Sequence, residues 1–268
     1  VYSFLNREVW FRKEYTTASD LPYACLDQSG VGGSIIPKSD SNYPSYFTDF
    51  LSEVYVGRAP VDNEKELENF VKKTISYMNS NEQKYNKVIM VGEKLGFGGV
   101  SEFAADSLDE LIDGSNKNGY NTEGIPAPDS KETSSGFKYV IEKIYEKTLG
   151  LWLGSKLIGK INEGKVNLVN HLGHANVDFN MKLGTPGYTK HGAVSTSNFN
   201  NRQYPIIYSQ GCYAGAFDSG TIVFSRIDAT YKYSDGRPMY GDCIAEYLTV
   251  KNDAGSVAWI GNSHFGWG

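Results

Sequence analysis

The apolar residues of the chain follow a helical period in one long segment. They recur at three- and four-residue spacing after Asp62 and Asn63, either of which has the short polar side chain that caps a helix N-terminus. The pattern predicts an amphipathic helix with its apolar residues along one face. These residues are Leu67, Phe70, Val71, Thr74, Ile75 and Met78.

Shorter apolar runs predict the other elements. Runs over residues 87–93, 165–175, 205–212 and 256–263 predict buried strands, because they are short, continuous and bounded by turn residues. Further short strands are predicted at 54–57 and 21–27, and helices at 106–112, 137–150 and 242–248. Since strands alternate with helices, we expect an α/β fold with a mainly parallel sheet and helices on both faces.

Composition narrows the class of protein. With 268 residues, of which 40% are hydrophobic, the chain is long enough to bury a sizeable core. The net charge is -5, and acidic and basic residues are interspersed, so no basic stripe or polybasic patch is present. The longest apolar runs fall far below the roughly 20 residues of a membrane-spanning helix. We therefore expect neither a nucleic-acid partner nor a membrane span.

The three cysteines argue against a disulfide framework. Cys25, Cys212 and Cys243 are an odd number and contain no CxxC pair, so a zinc site is also disfavoured. At least one thiol must be free. We interpret Cys25 and Cys243 as structural residues and Cys212 as the candidate for chemistry.

Two predicted strands end in reactive side chains. His174 ends the run that starts at residue 165, and Cys212 ends the run that starts at residue 205. If these strands are parallel neighbours, both side chains leave the sheet at the same edge and meet there. The imidazole then takes the thiol proton and returns it to a leaving amine. The backbone N–H of Cys212, aimed by the turn at Gly211, helps to hold the oxyanion.

Each of these residues also has a purely structural interpretation. A lone buried cysteine is more often a small hydrophobe than a nucleophile. His171, inside the same strand as His174, is interpreted as a packed core residue or as a support behind the site. As a metal pair, His171 and His174 lack a third ligand. Spacing alone leaves these alternatives open.

Five segments carry a resemblance to a known family. They are, in chain order, YVGRAPVDNEKELENFVKKTISY, MVGEKLGFGG, VNHLGHA, YPIIYSQGCYAGAFD and VAWIGNSHFGWG. Together they resemble the gingipain family of cysteine peptidases, from about Pro22 to the C-terminus. The resemblance implies a caspase-like three-layer sandwich, with an N-terminal subdomain over residues 1–85 and a catalytic subdomain over residues 86–268. It also implies an endopeptidase with a Cys–His dyad.

The resemblance assigns roles to individual residues. The family's nucleophile matches Cys212, its catalytic histidine matches His174, and the glutamate that orients the histidine matches Glu93. The family places glycine after the histidine, where its N–H completes the oxyanion hole, but this chain has Ala175. Alanine donates the same N–H but resists a positive φ. The resemblance therefore implies Ala175 as the second oxyanion donor, with a backbone φ that an alanine can adopt.

Substrate preference follows from the same resemblance. Members that cut after Arg or Lys carry an acidic residue at the base of the pocket, and Asp106 is the nearest match, with Phe265 or Trp267 as an aromatic wall. Gly211 is expected to line the substrate site. The alternative for Asp106 is a helix cap. A caspase- or legumain-like preference for Asp or Asn would instead use Arg58 or Arg202.

The remaining expectations concern location and partners. The resemblance implies a secreted, extracellular enzyme that acts on proteins or peptides, is matured by proteolysis and is incomplete at both ends here. Other fragments of the same precursor are then possible partners, and residues 114–135 form a loop open to cleavage. No cofactor is expected for catalysis, while a structural Ca2+ near residues 25–33, Asp40 and Asp49 is expected at most. The alternative of another class is a non-catalytic, calcium-stabilised binding module.

Overall fold

The computed structural model describes residues 3–8, 13–18, 20, 24, 54–80, 85–112, 114–116, 119, 121, 123–128, 138–217 and 242–266. The chain divides into two compact units, Val1–Pro60 and Val61–Gly268. In the first unit, strands β1 (Ser3–Glu8) and β2 (Lys13–Ala18) pair antiparallel. The boundary between caspase-like subdomains at residues 85 and 86 stays a prediction.

The second unit alternates strands with short helices. Its strands are β3 (Lys87–Gly92), β4 (Val140–Tyr145), β5 (Val166–Leu172), β6 (Ala175–Asn176), β7 (Phe179–Asn180), β8 (Leu183–Gly184), β9 (Val194–Ser195), β10 (Ile206–Ser209) and β11 (Ala258–Gly261). Its helices are α1 (Glu64–Met78), α2 (Ala105–Asp109), α3 (Glu146–Leu149), α4 (Gly154–Asn162) and α5 (Ile244–Glu246). A π-helical segment, Tyr247–Lys251, continues α5.

Five strands form the central sheet, in the order β11-β10-β5-β3-β4. Every neighbouring pair in this sheet is parallel. Parallel strands require crossover connections, and these place helices on the faces of the sheet. The predicted α/β fold with a mainly parallel sheet is confirmed, and the architecture is consistent with a caspase-like sandwich.

The core lies on both faces of this sheet because successive side chains of a strand point to opposite sides. On one face Ile89 and Val91 of β3 pack with α4 and with the segment that follows Cys243. On the other face Val88 and Met90 pack with α2. The alternation within a single strand therefore produces three layers.

Residues 140–149 form a strand followed by a short helix, so the prediction of one helix over 137–150 was wrong. Strand β4 pairs with β3 from Val140 opposite Lys87 to Tyr145 opposite Gly92. Ile144 and Tyr145 are both buried, but in different core clusters. A short run of adjacent apolar residues fits both a helical stripe and a strand that is buried on both faces. Here the β-branched residues and the pairing with β3 favour the strand.

Two short strands were predicted in the first unit, and only one of them falls on residues that the structure describes. Residues 54–60 form no regular secondary structure, so the strand at Val54–Val56 was wrong. The Val54 N–H donates to the Ala24 carbonyl at 3.3 Å, but a single hydrogen bond of this kind does not make a strand. Most of the strand predicted at 21–27 lies outside the described residues.

Helix α1 buries its polar face. Its N-terminus is capped as predicted, since the Asn63 side chain accepts a hydrogen bond from the Glu66 N–H. However, Glu66, Asn69 and Lys73 are buried, whereas the apolar side chains on the opposite face are exposed. The exposed residues are Leu67, Val71, Ile75 and Met78.

Carbonyl groups explain this orientation. The Lys73 ammonium donates to the Leu248 and Thr249 carbonyls at 2.8 and 3.0 Å, and Asn69 donates to the Val250 carbonyl at 2.9 Å. Carbonyls at the end of a helical segment lack partners within it, and buried ones must be satisfied from elsewhere. Helix α1 supplies those donors, so its polar side faces inward.

Replacing Lys73 by methionine is expected to remove a pH-dependent part of the stability. Burial lowers the pKa of Lys73 from 10.5 to about 7, so the unfolded chain binds this proton more readily between those values. The free energy of unfolding of the wild type should therefore rise with pH in this window, relative to the variant, by up to ~1 kcal/mol per pH unit. Urea unfolding at several pH values measures the difference. Lys65→Met, at an exposed position, is the control, and a difference for Lys73→Met that is constant with pH would contradict the prediction.

Candidate active site

The predicted catalytic residues gather at one edge of the central sheet. Glu93 directly follows β3, His174 follows β5, and Cys212 follows β10. Strand β10 pairs in parallel with β5, which confirms that the two reactive strands are neighbours. Their carboxyl ends therefore meet at the edge where open α/β sheets bind ligands.

The turns that carry Cys212 and His174 touch each other. A Cβ atom on Gly211 would lie 2.4 Å from the Ala175 Cβ and 3.4 Å from the Gly173 carbonyl oxygen. No side chain fits a space that narrow, so glycine is required at position 211. The close approach brings the backbone before the thiol against the backbone around the imidazole.

The turn that carries Cys212 is held by the segment that follows β11. Tyr213 adopts a left-handed conformation with φ of 54°, and its N–H donates to the His264 carbonyl at 2.6 Å. The thiol of Cys212 is partly buried and lies 3.9 Å from the Gly266 carbonyl oxygen. A left-handed non-glycine residue is costly and persists only where the surroundings enforce it. The turn therefore presents Cys212 in one defined backbone geometry.

His174 is exposed and is held at two points. Its Nε2 lies 3.1 Å from the Leu95 carbonyl oxygen, and its backbone N–H donates to Glu93 Oε2 at 3.0 Å. A carbonyl only accepts hydrogen bonds, so Nε2 carries the proton and Nδ1 keeps the lone pair. Nδ1 is therefore the nitrogen that can receive a proton. Among the described residues, no hydrogen bond joins the His174 ring to the Cys212 thiol.

Glu93 is almost fully buried and contacts the backbone of His174 rather than its ring. Burial raises the pKa of Glu93, and the ammonium of Lys182, 3.5 Å from Oε1, opposes that rise. Lys182 also pairs with Glu146 at 3.0 Å. The carboxylate thus fixes the position of the His174 main chain, while the Leu95 carbonyl orients the ring.

Two backbone N–H groups, those of Ala175 and Cys212, lie next to the contact between the two turns. Ala175 begins β6, and it is not among the described residues with a positive φ, so alanine fits this position without strain. The Cys212 N–H makes no hydrogen bond to any other residue that the structure describes. Gly211, between the two, contacts Ala175 directly. Replacement of the family's glycine by Ala175 therefore leaves that donor intact.

The predicted substrate-binding residues lie on different sides of the site. Asp106, in the first turn of α2, is exposed, and its two oxygens lie 2.5 and 2.7 Å from the Lys147 ammonium. Phe265, after β11, packs edge-on against Tyr213 and His264. Strands β5 and β10 separate β11 from β3, which leads to Asp106. Trp267 lies outside the described residues.

The arginines considered for an acidic or amide substrate are engaged elsewhere. Arg202 precedes β10 and pairs with Asp253 at 2.8 Å, so it lies at the sheet edge opposite Cys212. Arg58 pairs with Asp20 within the first unit at 2.5 Å.

Sequence reasoning placed His171 behind the site but missed its buried polar partners, Ser209 and Asn180. Ser209 Oγ lies 2.8 Å from His171 Nδ1 and accepts a hydrogen bond from Asn180 Nδ2 at 2.8 Å. It also accepts one from the Gly211 N–H at 3.2 Å. The signal available for Ser209 was a polar side chain inside an otherwise apolar strand.

Neither a metal site nor a membrane span appears in the described part of the chain. Within it, no cluster of three or more His, Cys, Asp or Glu side chains has the arrangement of a metal site. The region proposed for Ca2+, residues 25–33 with Asp40 and Asp49, lies outside the described residues. None of the described helices combines the length and the apolar character needed to cross a membrane.

Comparison with known proteins identifies the family of the chain. The model of peptidase family C25 matches residues 2–268, which is nearly the whole chain. No curated protein and no solved structure matches the chain.

Proposed function

The chain belongs to peptidase family C25, the gingipain family of cysteine peptidases, and we propose that it is an active cysteine endopeptidase with Cys212 as nucleophile and His174 as general base. The observation that carries the proposal is the contact between Gly211 and Ala175, which places the thiol-bearing turn against the histidine-bearing turn. Proximity of a nucleophile and a base is the first requirement of such catalysis.

The reaction follows from the two turns. Nδ1 of His174 takes the proton of the Cys212 thiol, and the thiolate attacks the carbonyl carbon of the scissile peptide bond. The negative charge that develops on the carbonyl oxygen is stabilised by the N–H groups of Cys212 and Ala175. The imidazolium then protonates the leaving amine, and the C–N bond breaks to leave a thioester. A water molecule, deprotonated by His174, hydrolyses the thioester and releases the acid.

Glu93 supports this cycle as a positioning residue. Its hydrogen bond to the His174 N–H holds the turn that carries the base, and the Leu95 carbonyl holds the ring. The thiol must rotate from the Gly266 carbonyl toward Nδ1 when substrate binds. Catalytic hydrogen bonds are often long in the free enzyme and tighten in the complex with substrate.

For specificity, we propose cleavage after Arg or Lys with Asp106 as the acidic anchor. A guanidinium binds both oxygens of a carboxylate, whereas an ammonium is a point charge. Lys147 occupies Asp106 in the free protein, so a substrate side chain must displace it. The pair is solvent-exposed and weak, so displacement costs little.

Opposite effects of two variants test the anchor. Lys147→Gln should lower KM for arginyl peptides about threefold because it removes the competing cation, while Asp106→Asn should raise KM about tenfold or more. Steady-state kinetics on fluorogenic peptides with Arg, Lys, Asp or Asn before the scissile bond measure both. Lys143→Gln, which breaks a similar pair with Asp109, is the matched control. An Asp106→Asn variant with unchanged KM for arginyl peptides would remove Asp106 from the pocket.

Three further features rest on the family alone. Secretion, proteolytic maturation and a structural Ca2+ remain predictions. The mass of a Cys212→Ala protein checks self-processing, because an inactive enzyme that acquires the same termini as the wild type was cut by another peptidase. A melting temperature unchanged by a calcium chelator would count against the ion.

A further inference from the structure

His171 lies directly behind the proposed active site, and the catalytic cycle above does not use it. It belongs to β5, is fully buried, and stands opposite Val91 of β3 and Ser209 of β10 in the sheet. Three residues further along the chain is His174. A buried polar side chain in the middle of a parallel sheet is expensive unless its hydrogen bonds are made.

Hydrogen-bond accounting at Ser209 determines which nitrogen of His171 carries the proton. A hydroxyl has one proton to donate and two lone pairs to accept with. Ser209 Oγ accepts from Asn180 Nδ2 and from the Gly211 N–H, both of which only donate. The hydroxyl proton therefore goes to His171 Nδ1, 2.8 Å away. Nδ1 is an acceptor, and a neutral His171 carries its own proton on Nε2.

The Nε2 proton faces Glu93. Nε2 lies 3.9 Å from Glu93 Oε1 and has no hydrogen-bond partner among the described residues. Burial, helped by Lys182, lowers the pKa of His171 to about 3, so the ring is neutral at ordinary pH. Gly173 covers this contact, since a Cβ there would lie 2.5 Å from His171 Nε2 and 2.6 Å from Glu93 Oε2. The two groups approach each other only because residue 173 has no side chain.

The two oxygens of Glu93 thus serve both halves of the site. Oε2 accepts from the His174 N–H, and Oε1 faces His171 Nε2. We infer that His171 is a positioning residue that links Glu93 to the Gly211–Cys212 turn through Ser209. The buried chain of groups, defined here as the Glu93–Ser209 relay, runs from Glu93 through His171 and Ser209 to the Gly211 N–H. The relay keeps the turn of His174 and the turn of Cys212 in fixed positions relative to each other. This inference rests on the function proposed above.

Alkylation of Cys212 tests the relay without requiring any substrate. In the relay the base and the thiol are held together, so His171→Phe should lower the rate of Cys212 alkylation by iodoacetamide about tenfold near neutral pH. It should also lower kcat with little change in KM, because the substrate contacts are untouched. Peptide mapping by mass spectrometry assigns the label to Cys212, and buried Cys243 serves as the unreactive internal control.

A double-mutant cycle separates the relay from simple packing. Ser209→Ala removes the hydroxyl with little change in volume and should cause a similar loss. Because both changes break one chain, the double variant should be hardly slower than either single variant. Additive losses, or rates within about twofold of wild type in folded single variants, would overturn the relay.

Two smaller variants keep the test informative if His171→Phe does not fold. His171→Asn places an amide oxygen near the Nδ1 position, so it should retain the link to Ser209 while it loses the contact with Glu93. Its alkylation rate should therefore lie between those of the wild type and His171→Leu, which is apolar like His171→Phe and keeps neither link. If alkylation follows the relay but no peptide is hydrolysed, the proposed peptidase function fails while the relay stands. If hydrolysis occurs and alkylation is unaffected, the relay alone fails.

Discussion

Cys212→Ala is expected to abolish peptide hydrolysis, with kcat lowered by at least about four orders of magnitude. In the proposed mechanism the sulfur of this thiol forms the covalent bond to the substrate, and no other described side chain of the two turns takes that part. What remains is stabilisation by the backbone donors of Cys212 and Ala175, which without a nucleophile gives only slow attack by water. Hydrolysis of fluorogenic arginyl and lysyl peptides under reducing conditions measures the loss.

Cys243 provides the matched control. It is fully buried at the start of α5, and burial raises the pKa of its thiol, so it stays protonated and unreactive. Cys243→Ala should keep kcat close to the wild-type value as long as the protein folds. Full activity in Cys212→Ala would refute the assignment of the nucleophile. Inactivity of the wild-type protein on every peptide would favour the non-catalytic binding module.

Gly211→Ala is the second change with a large expected effect. The added Cβ would lie 2.4 Å from the Ala175 Cβ, which is far inside contact distance, so the two turns must move apart. Misplacing a catalytic group by about 1 Å costs about a hundredfold in rate, and we expect a fall in kcat/KM of that size. The same steady-state assay measures it, and circular dichroism checks that the fold is retained.

A second substitution should reverse the loss. Ala175→Gly removes the methyl group that Gly211→Ala strikes, and the next contacts of the new Cβ, with Asn180 Nδ2 and the Gly173 carbonyl oxygen, are 3.3 and 3.4 Å. The double variant should therefore recover most of the activity, while Ala175→Gly alone should remain close to wild type. A double variant as slow as Gly211→Ala would show that the Gly211–Ala175 contact does not set the geometry of the site.

The local sequence pattern predicted several helices and strands correctly. It failed where contacts with distant residues determine the structure. Helix α1 and a cap at Asp62 or Asn63 were predicted, and Asn63 is the cap, since spacing and capping are local properties. The face that α1 buries was not, because it depends on the carbonyls of a segment about 175 residues away. Strand β4 was predicted as a helix for the same reason: its pairing with β3 lies outside any local window.

The sequence alone predicted that the two candidate residues at the strand ends lie at one edge of the sheet. Cys212 and His174 each follow an apolar run, and parallel strands deliver their ends to one edge, as the pairing of β5 with β10 confirms. The family was also recognisable from segments of the chain. These conclusions depend only on the order of the residues and on the spacing of the apolar ones, both of which can be read directly from the sequence.

Contacts between distant residues were decided only by the tertiary structure. The occupation of Asp106 by Lys147, the carbonyl of Leu95 at the His174 ring, and the group around Ser209 each join residues from different elements. The spacing of residues along the chain does not predict such a contact, because the contact depends on how the strands align and how the loops between them pack. Sequence order therefore determined which residues reach the carboxyl edge of the central sheet, and side-chain packing between neighbouring strands decided which of them touch.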